Sequence, residues 1–137
     1  MTRFMISLEQ GVDLVWTAFN DMCGGEIYVK KIPSMCILDI VQAVSPNSEI
    51  KLIGIRPGEK LHEQMIGPED APHTYEYDEY FKVLPAIFNW SIDEVRIGEG
   101  KLVPEGFSYT SDNNSEWMSL ETLQAWVAAN REKIGKI

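Results

Sequence analysis

The sequence is short of cysteine, histidine and positive charge. Its 137 residues include two cysteines, Cys23 and Cys36, which form no CxxC pair. Because two isolated cysteines provide no disulfide framework, we expect a reduced, cytoplasmic setting. Twelve lysines and arginines stand against 21 acidic residues, which gives a formal net charge of −9. A chain this acidic has no broad basic surface, and this argues against generic nucleic-acid binding.

Several sequence patterns of known function are also absent. No apolar run reaches the length of about 18 residues that a membrane-spanning helix needs, and no signal peptide is visible at the N-terminus. The sequence has no GxGxxG, GxxGxxG, GxxxxGK[ST] or GxSxG, and no tyrosine is followed four residues later by lysine. His62 and His73 lack the spacing of a zinc site. We therefore expect neither a metal site nor a complete redox or hydrolytic active site in this chain.

The 45% apolar content is enough for one globular domain, which we expect to span residues 1–137. Hydrophobic periodicity predicts a helix over 7–22, with Ser7 and Gln10 as its capping box. Further helices are predicted over 34–44, with Ser34 as the cap, over 61–66, and after a cap at Ser119. Trp16, Trp90 and Trp126 are interpreted as packing residues.

Strands are predicted at 26–30 and 50–55, and one or two more within 74–84, whereas 86–106 is expected to be a loop. No strand is predicted before the first helix. Helices alternate with strands in the first half, which favours an α/β fold. Two or three strands make only a marginal sheet. We therefore expect the rest of the sheet to lie on a preceding segment or on another chain.

The string Arg56-Pro57-Gly58-Glu59-Lys60 follows the predicted strand at 50–55. A guanidinium at the end of a strand offers a planar set of donors to a phosphate or carboxylate. The glycine permits close backbone approach, and the start of the predicted helix adds free N–H groups. The string therefore predicts an anion site, with a plain surface turn in which Arg56 pairs with Glu59 or Glu63 as the alternative.

Arg3 is the second candidate cation, in a Met-rich stretch before the first helix. If Arg3 and Arg56 converge, their two guanidinium groups could clamp a diphosphate. The alternative is a partly exposed arginine that closes a helix end. His62 could act as a general base, but a surface or capping role is the simpler interpretation.

Residues 111–115, Ser-Asp-Asn-Asn-Ser, form a dense polar stretch between Tyr109 and Trp117. Such a loop could hydrogen-bond the hydroxyls of a sugar or base, with an aromatic side chain beside a ring. The alternative is a turn held by local hydrogen bonds from its own Asn and Asp side chains.

Four strings together carry a family resemblance: MTRFMISLEQGVDLVW, GGEIYVKKIPSM, IGIRPGEKLHEQMI and YTSDNNSEWMS. From Met1 to about Val127 the chain resembles the C-terminal part of the inverting UDP-N-acetylglucosamine 4,6-dehydratases, which belong to the extended short-chain dehydrogenase/reductases. The resemblance implies an incomplete Rossmann-type sheet with helices and a few extra strands. It also implies a substrate-binding portion that lacks the N-terminal NADP-binding domain.

In that family NADP takes a hydride from C4 of the sugar, water leaves across C5–C6, and the hydride returns to C6 while C5 inverts. The product is a 4-keto-6-deoxy sugar nucleotide for pseudaminic-acid or surface-polysaccharide biosynthesis. The catalytic Asp–Lys pair and Tyr lie in the family's N-terminal two-thirds. The resemblance therefore implies that this chain has no catalytic residue, binds no cofactor by itself and is inactive alone.

Individual residues also match the family's pattern. Arg3 and Arg56 match arginines that hold the diphosphate and ribose of UDP, and Glu59 would support Arg56 or a ribose hydroxyl. In the polar loop, Ser115 occupies a substrate-contacting position, flanked by Asn113 and Asn114. The family gives His62 no catalytic role. We also expect a homo-oligomer, and from the charge and the lack of a long apolar run we expect no nucleic-acid or membrane partner.

Two other functions remain open at this point. One is a non-catalytic module that binds a nucleotide diphosphate through Arg3 and Arg56. The other is an assembly piece that completes a sheet supplied by a separate Rossmann-type chain. The second predicts a large exposed apolar surface on the isolated chain.

Overall fold

The structure, a computed structural model, describes residues 1–86 and 94–134, with the backbone alone for 131–134. Trp90 lies outside the described residues. The described helices are α1 (Leu8–Asp21), α2 (Ile37–Val44), α3 (Glu94–Ile97) and α4 (Leu120–Ile134), with a 3-10 turn at Ala71–His73. The described strands are β1 (Thr2–Phe4), β2 (Ile27–Lys30), β3 (Ser34–Cys36), β4 (Gln64–Ile66), β5 (Thr74–Glu76), β6 (Tyr80–Val83), β7 (Lys101–Leu102) and β8 (Tyr109–Thr110).

The described strands form three antiparallel sheets rather than one. β1 pairs with β3, β4 pairs with β8, and the largest sheet has the order β2-β6-β5-β7. The mixture of helices and small sheets confirms the predicted α/β class. Among the described residues, no helix combines the length and apolar composition needed to cross a bilayer.

The chain divides into two compact units. Unit 1 comprises Met1–Met5, Pro33–Glu63 and Ser111–Ile137, and unit 2 comprises Ile6–Ile32 and Gln64–Thr110. In unit 1, α2 packs against α4, and Met35 and Leu123 are almost fully buried. In unit 2, the Phe81 ring lies 5.1 Å from that of Tyr109 between centroids. All six residues predicted to bind substrate fall in unit 1.

The capped first helix is confirmed, because the Ser7 hydroxyl accepts from the N–H of Gln10 and the Gln10 side chain accepts from the N–H of Ser7. Its apolar face, however, is exposed, and Trp16 keeps 63% of its surface accessible, so the packing role predicted for Trp16 is wrong. Strands β2, β5 and β6 confirm the predictions at 26–30 and within 74–84. The cap at Ser119 is also confirmed, since its hydroxyl accepts from the N–H of Thr122.

Other local predictions are wrong. Residues 50–55 form no strand, and 61–66 hold a bend followed by β4 instead of a helix. A strand, β1, does precede the first helix. Residues 34–36 form β3, so the second helix starts at Ile37 with Cys36, not Ser34, as its cap. Part of the predicted loop at 86–106 holds α3 and β7, and residues 87–93 lie outside the described part of the chain.

Candidate functional site

Arg56 lies in an exposed turn of unit 1. Its carbonyl accepts from the N–H of Glu59 at 3.0 Å, and its own N–H donates to Oε2 of Glu59 at 2.9 Å. Gly58 has a φ of +85°, which suits the third position of a type II turn after Pro57. The sequence therefore builds a turn whose geometry Glu59 fixes through the backbone.

The guanidinium of Arg56 is available to a ligand. It has no ion pair or hydrogen bond with any residue that the structure describes, and residues 51–60 are all exposed. The predicted alternative, an ion pair with Glu59 or Glu63, is not formed. The predicted contribution of a helix start is wrong as well, since no helix follows the turn. An anion at this turn would therefore have the side chain of Arg56, and no helical N–H groups, to bind it.

Arg3 is held by the protein itself. Its Nη1 donates to the carbonyl of Thr2 at 2.6 Å and to that of Leu61 at 3.3 Å, and its Nη2 donates to the carbonyl of Lys60 at 3.2 Å. Its Nε lies 3.6 Å from Oε1 of Glu63, and its side chain is 27% exposed. Most of its donors are therefore used before any ligand arrives.

The contacts of Arg3 anchor one end of the Arg56 loop. Arg3 binds the carbonyl of Lys60, the residue directly after the turn formed by Arg56 and Glu59. A turn of this kind keeps its first and last Cα atoms within about 7 Å. Arg3 is thus tied to one end of the short loop whose other end carries Arg56.

A polar network supports this anchor. The Thr2 hydroxyl lies 2.8 Å from Nδ1 of His62 and 2.7 Å from the hydroxyl of Ser111. The N–H of Glu63 donates to the Ser111 hydroxyl at 2.8 Å, and Oε2 of Glu63 accepts from the N–H of Phe4 at 2.8 Å. His62 thus joins β1 to the 60–63 segment, as a structural residue would.

Thr2 was not singled out from the sequence, Ser111 was predicted only as part of the polar stretch at 111–115, and Glu63 was predicted only as an alternative partner of Arg56. The contacts of Thr2 span 60 residues to His62 and 109 to Ser111. No local sequence pattern indicates hydrogen bonds between residues so far apart in the chain. Their positions were not predictable without the fold.

The polar stretch at 111–115 is a turn held in part by its own side chains. Asn114 Oδ1 accepts from the N–H of Glu116 at 3.2 Å, while its Nδ2 donates to the carbonyl of Glu116 at 2.9 Å and to the hydroxyl of Ser34 at 3.1 Å. This is the local bonding expected of the turn alternative. Asn113 and Ser115 are exposed. Sugar contacts by these three residues stay a prediction.

A second cluster, in unit 2, surrounds the ammonium of Lys82. Its Nζ lies 2.5 Å from Oδ2 of Asp21, donates to the carbonyl of Arg96 at 2.8 Å, and lies 5.0 Å and 5.5 Å from the ring centroids of Tyr77 and Tyr28. Burial lowers the pKa of Lys82, but the hydrogen bond that its ammonium donates to Asp21, together with its interactions with Tyr77 and with the charge of Asp21, raises the pKa above the usual value. Burial and Asp21 likewise raise the pKa of Tyr28. Because the ammonium of Lys82 contacts a carboxylate, a carbonyl and two aromatic rings, it stabilises the fold and does not act as a nucleophile.

The described residues offer little for metal or dinucleotide binding. They contain no group of three His, Cys, Asp or Glu side chains placed to hold a metal ion. Gly24 and Gly25, the only adjacent glycines in the sequence, follow helix α1 and precede strand β2. A dinucleotide fingerprint needs the opposite order, in which glycines follow a strand and open a helix. The residues present here therefore do not fit the NADP that the resemblance implies for the family.

Comparison with known proteins agrees with the resemblance read from the four strings. Two UDP-N-acetylglucosamine 4,6-dehydratases (inverting) of Campylobacter jejuni strains are 48% and 49% identical to this chain over 130 residues, which is 90% of this chain and 38% of each relative. A UDP-glucose 4-epimerase of Rickettsia rickettsii is 34% identical over 61% of this chain and 26% of its own length. The chain thus spans about two-fifths of the dehydratases that it matches.

The fold has a solved counterpart. The X-ray structure of Pen from Bacillus thuringiensis superimposes with a TM-score of 0.74 at 24% identity, and the match covers 96% of this chain and 38% of that one. The sequence model described as "Polysaccharide biosynthesis protein" matches residues 1–85, which is more than half of the chain. The chain therefore belongs to the polysaccharide biosynthesis protein family.

Proposed function

We propose that this chain binds the diphosphate of a UDP-sugar as the substrate-binding portion of a UDP-N-acetylglucosamine 4,6-dehydratase. The observation that carries the proposal is the exposed guanidinium of Arg56 on a turn that Glu59 fixes through its backbone. A preset turn lowers the ordering cost of binding, and a guanidinium can donate two parallel hydrogen bonds to a phosphate.

In this proposal the two arginines have different roles. Arg56 contacts the phosphates directly. Arg3 keeps the 60–63 segment in place and adds its remaining donor capacity to the same anion. The identity of 48% to the Campylobacter jejuni dehydratases supports UDP-N-acetylglucosamine as the sugar nucleotide.

The proposal assigns no chemical step to the residues of this chain. The hydride transfers and the loss of water would require an NADP-binding domain. The residues present here do not fit NADP. We propose that the chain alone forms no 4-keto product from UDP-N-acetylglucosamine and NADP. The same proposal includes three further points. The product would enter pseudaminic-acid or surface-polysaccharide biosynthesis, the protein would be cytoplasmic, and it would assemble as a homo-oligomer.

Titration calorimetry with UDP tests the binding site. We expect saturable binding that Arg56→Ala weakens at least tenfold, which is about 1.4 kcal/mol. Arg56→Lys should recover only part of the loss, because an ammonium cannot make the paired contact. Lys51→Ala is the matched control, since it removes another exposed cation nearby in the sequence but outside the turn.

The proposed function is overturned if the chain shows no saturable UDP binding. It is also overturned if Arg56→Ala and Lys51→Ala weaken binding equally, because the effect would then be one of net charge and not of the turn.

A further inference from the structure

The hydroxyl of Ser111 is buried and joins two segments that are far apart in the chain. Ser111 keeps 0% of its surface accessible. Its Oγ accepts from the N–H of Glu63 at 2.8 Å and lies 2.7 Å from the hydroxyl of Thr2. Its own N–H donates to the carbonyl of Glu63 at 2.8 Å. Ser111 therefore holds Glu63 through both its backbone and its side chain, and all three residues belong to unit 1.

The hydrogen bonds of this hydroxyl can run in one direction only. A serine hydroxyl has a single proton to donate, and a buried proton without an acceptor is costly. Among the described residues, the Thr2 oxygen is the one acceptor that this proton reaches, because the N–H of Glu63 is itself a donor. Ser111 therefore donates to Thr2, and Thr2 donates to Nδ1 of His62, which is 2.8 Å away. We call these four residues, in the order Glu63, Ser111, Thr2 and His62, the hydroxyl chain.

The hydroxyl chain holds the segment that follows the Arg56 turn. It bonds to residues 62–63, and the N–H of Thr2 adds a hydrogen bond to the carbonyl of Leu61 at 2.9 Å. Residues 51–60, by contrast, are all exposed. The position of the Arg56 turn is therefore set from the C-terminal end of its loop, by bonds to buried side chains.

Ser111 is also the first residue of the polar stretch at 111–115, in which Asn113, Asn114 and Ser115 are predicted to contact the sugar. One buried hydroxyl thus joins the loop that carries Arg56 to the loop that carries these three residues. Side chains that bind a ligand need supporting hydrogen bonds to stay in a productive geometry. The hydroxyl of Ser111 is placed to give that support to both loops.

We propose that Ser111 is a positioning residue of the UDP-sugar site, which holds the Arg56 loop and the 111–115 stretch together through the hydroxyl chain. This inference rests on the proposed function and deepens it. Because Ser111 is fully buried, it acts through other residues and does not touch the ligand. A loop that is already in place loses less conformational freedom on binding. Loss of the hydroxyl should therefore weaken UDP binding although Arg56 is still present.

Titration calorimetry with UDP on variants of the complete chain tests this role. Ser111→Ala removes the hydroxyl, and Thr2→Val removes the next hydroxyl of the chain while it keeps the shape of the side chain. Each should weaken UDP binding by about fivefold, which corresponds to roughly one net hydrogen bond. Thr2→Ser keeps the hydroxyl and should bind UDP as the unaltered chain does.

Two comparisons separate positioning from a general loss of stability. Thr74→Val removes another fully buried hydroxyl, which donates to the carbonyl of Asp70 at 2.8 Å in unit 2. It should lower the melting temperature and leave the affinity for UDP unchanged. In an Arg56→Ala background, Ser111→Ala should weaken UDP binding less than it does alone, because no guanidinium is left to position.

The direction of the hydroxyl chain has a spectroscopic signature that needs no ligand. Above about pH 8 a histidine ring carries a single proton. Since Nδ1 of His62 accepts from Thr2 in the hydroxyl chain, that proton should lie on Nε2. Nitrogen NMR of the His62 ring distinguishes the two positions.

Three results would overturn the inference. The first is an unchanged affinity for UDP in a cooperatively melting Ser111→Ala, or in Thr2→Val if Ser111→Ala does not fold. The second is a double variant whose loss equals the product of the two single losses. The third is a proton on Nδ1 of His62, which would reverse the Thr2 hydroxyl and leave the Ser111 proton without an acceptor. An unaltered chain that does not bind UDP would overturn the proposed function as well, so the two failures are distinguishable.

Discussion

Strand β2 and residues 50–55, the IKLIGI segment, have similar compositions, but only β2 pairs with another strand. Both are short and apolar, and both are predicted to be strands from composition alone. β2 pairs with β6 through Val29 opposite Phe81, and Val29 keeps 8% of its surface accessible. The IKLIGI segment has no partner among the described residues, and Leu52 keeps 90%. The comparison teaches that a strand needs a second strand, which local sequence cannot reveal.

The β2 sheet is also stabilised by side-chain contacts to a helix, and the IKLIGI segment has no such contacts among the described residues. Tyr28 of β2 lies opposite Lys82 of β6, and both reach Asp21 at the end of α1. These contacts therefore join two strands and a helix through one carboxylate. We expect the difference between the two regions to appear most clearly when these contacts are broken.

Asp21→Asn should have the largest effect. It leaves the ammonium of Lys82, whose side chain is 3% exposed, without its carboxylate. Only the Lys82 end of this pair is buried, so loss of the carboxylate should cost about 2–3 kcal/mol, at or below the lower end for a fully buried pair. Urea denaturation should show this loss. Lys82→Met should cost less, since the carboxylate of Asp21 is nearer to water, and the double variant should cost less than the sum. Strictly additive losses would contradict a coupled pair.

Truncation of one apolar residue in each region should give the next largest difference. Val29→Ala removes two buried methyl groups and should lower the free energy of unfolding by about 2 kcal/mol. Leu52→Ala removes more carbon from an exposed site and should change it by less than about 0.5 kcal/mol. Equal losses in urea denaturation would show that the IKLIGI segment is packed in the free chain.

The smallest effect should be one of pH. Burial raises the pKa of Asp21, but hydrogen bonds from Lys82 and Tyr28 lower it below its usual value. A carboxyl with a lowered pKa stabilises the fold above its unfolded pKa of about 3.9, and this contribution is lost as the pH falls through the folded pKa. Melting temperatures measured between about pH 6 and about pH 2 should fall less steeply in Asp21→Asn. Asp78→Asn, in the same unit, should keep the wild-type slope.

The sequence predicted elements whose determinants are local. The capping box of Ser7 and Gln10, the cap at Ser119 and three of the four strands of the large sheet (β2, β5 and β6) were predicted from residues a few positions apart. The predictions at 50–55 and 61–66 failed because the outcome there depends on distant partners. Thr110, for instance, pairs with Gln64 and so draws 64–66 into β4 instead of a helix.

The candidate site divides in the same way. The turn at Arg56 was readable, since Pro57 and Gly58 dictate it. The capture of Arg3 by the carbonyls of Lys60 and Leu61 was not, because it joins residues 57 and 58 positions apart. From residue type alone, Arg3 and Arg56 are both candidate ligands of an anion. Only the fold shows that the guanidinium of Arg3 already bonds to the protein, whereas that of Arg56 has no bond to the described residues.

The exposed IKLIGI segment has a practical consequence for handling the protein. A six-residue stretch with high β-propensity and unpaired backbone is the kind of sequence that stacks into cross-β fibrils. Lys51 is the only charge within it and acts as a gatekeeper, because stacked copies would bring like charges together. Purification in low salt, where that repulsion is least screened, should keep the chain in solution.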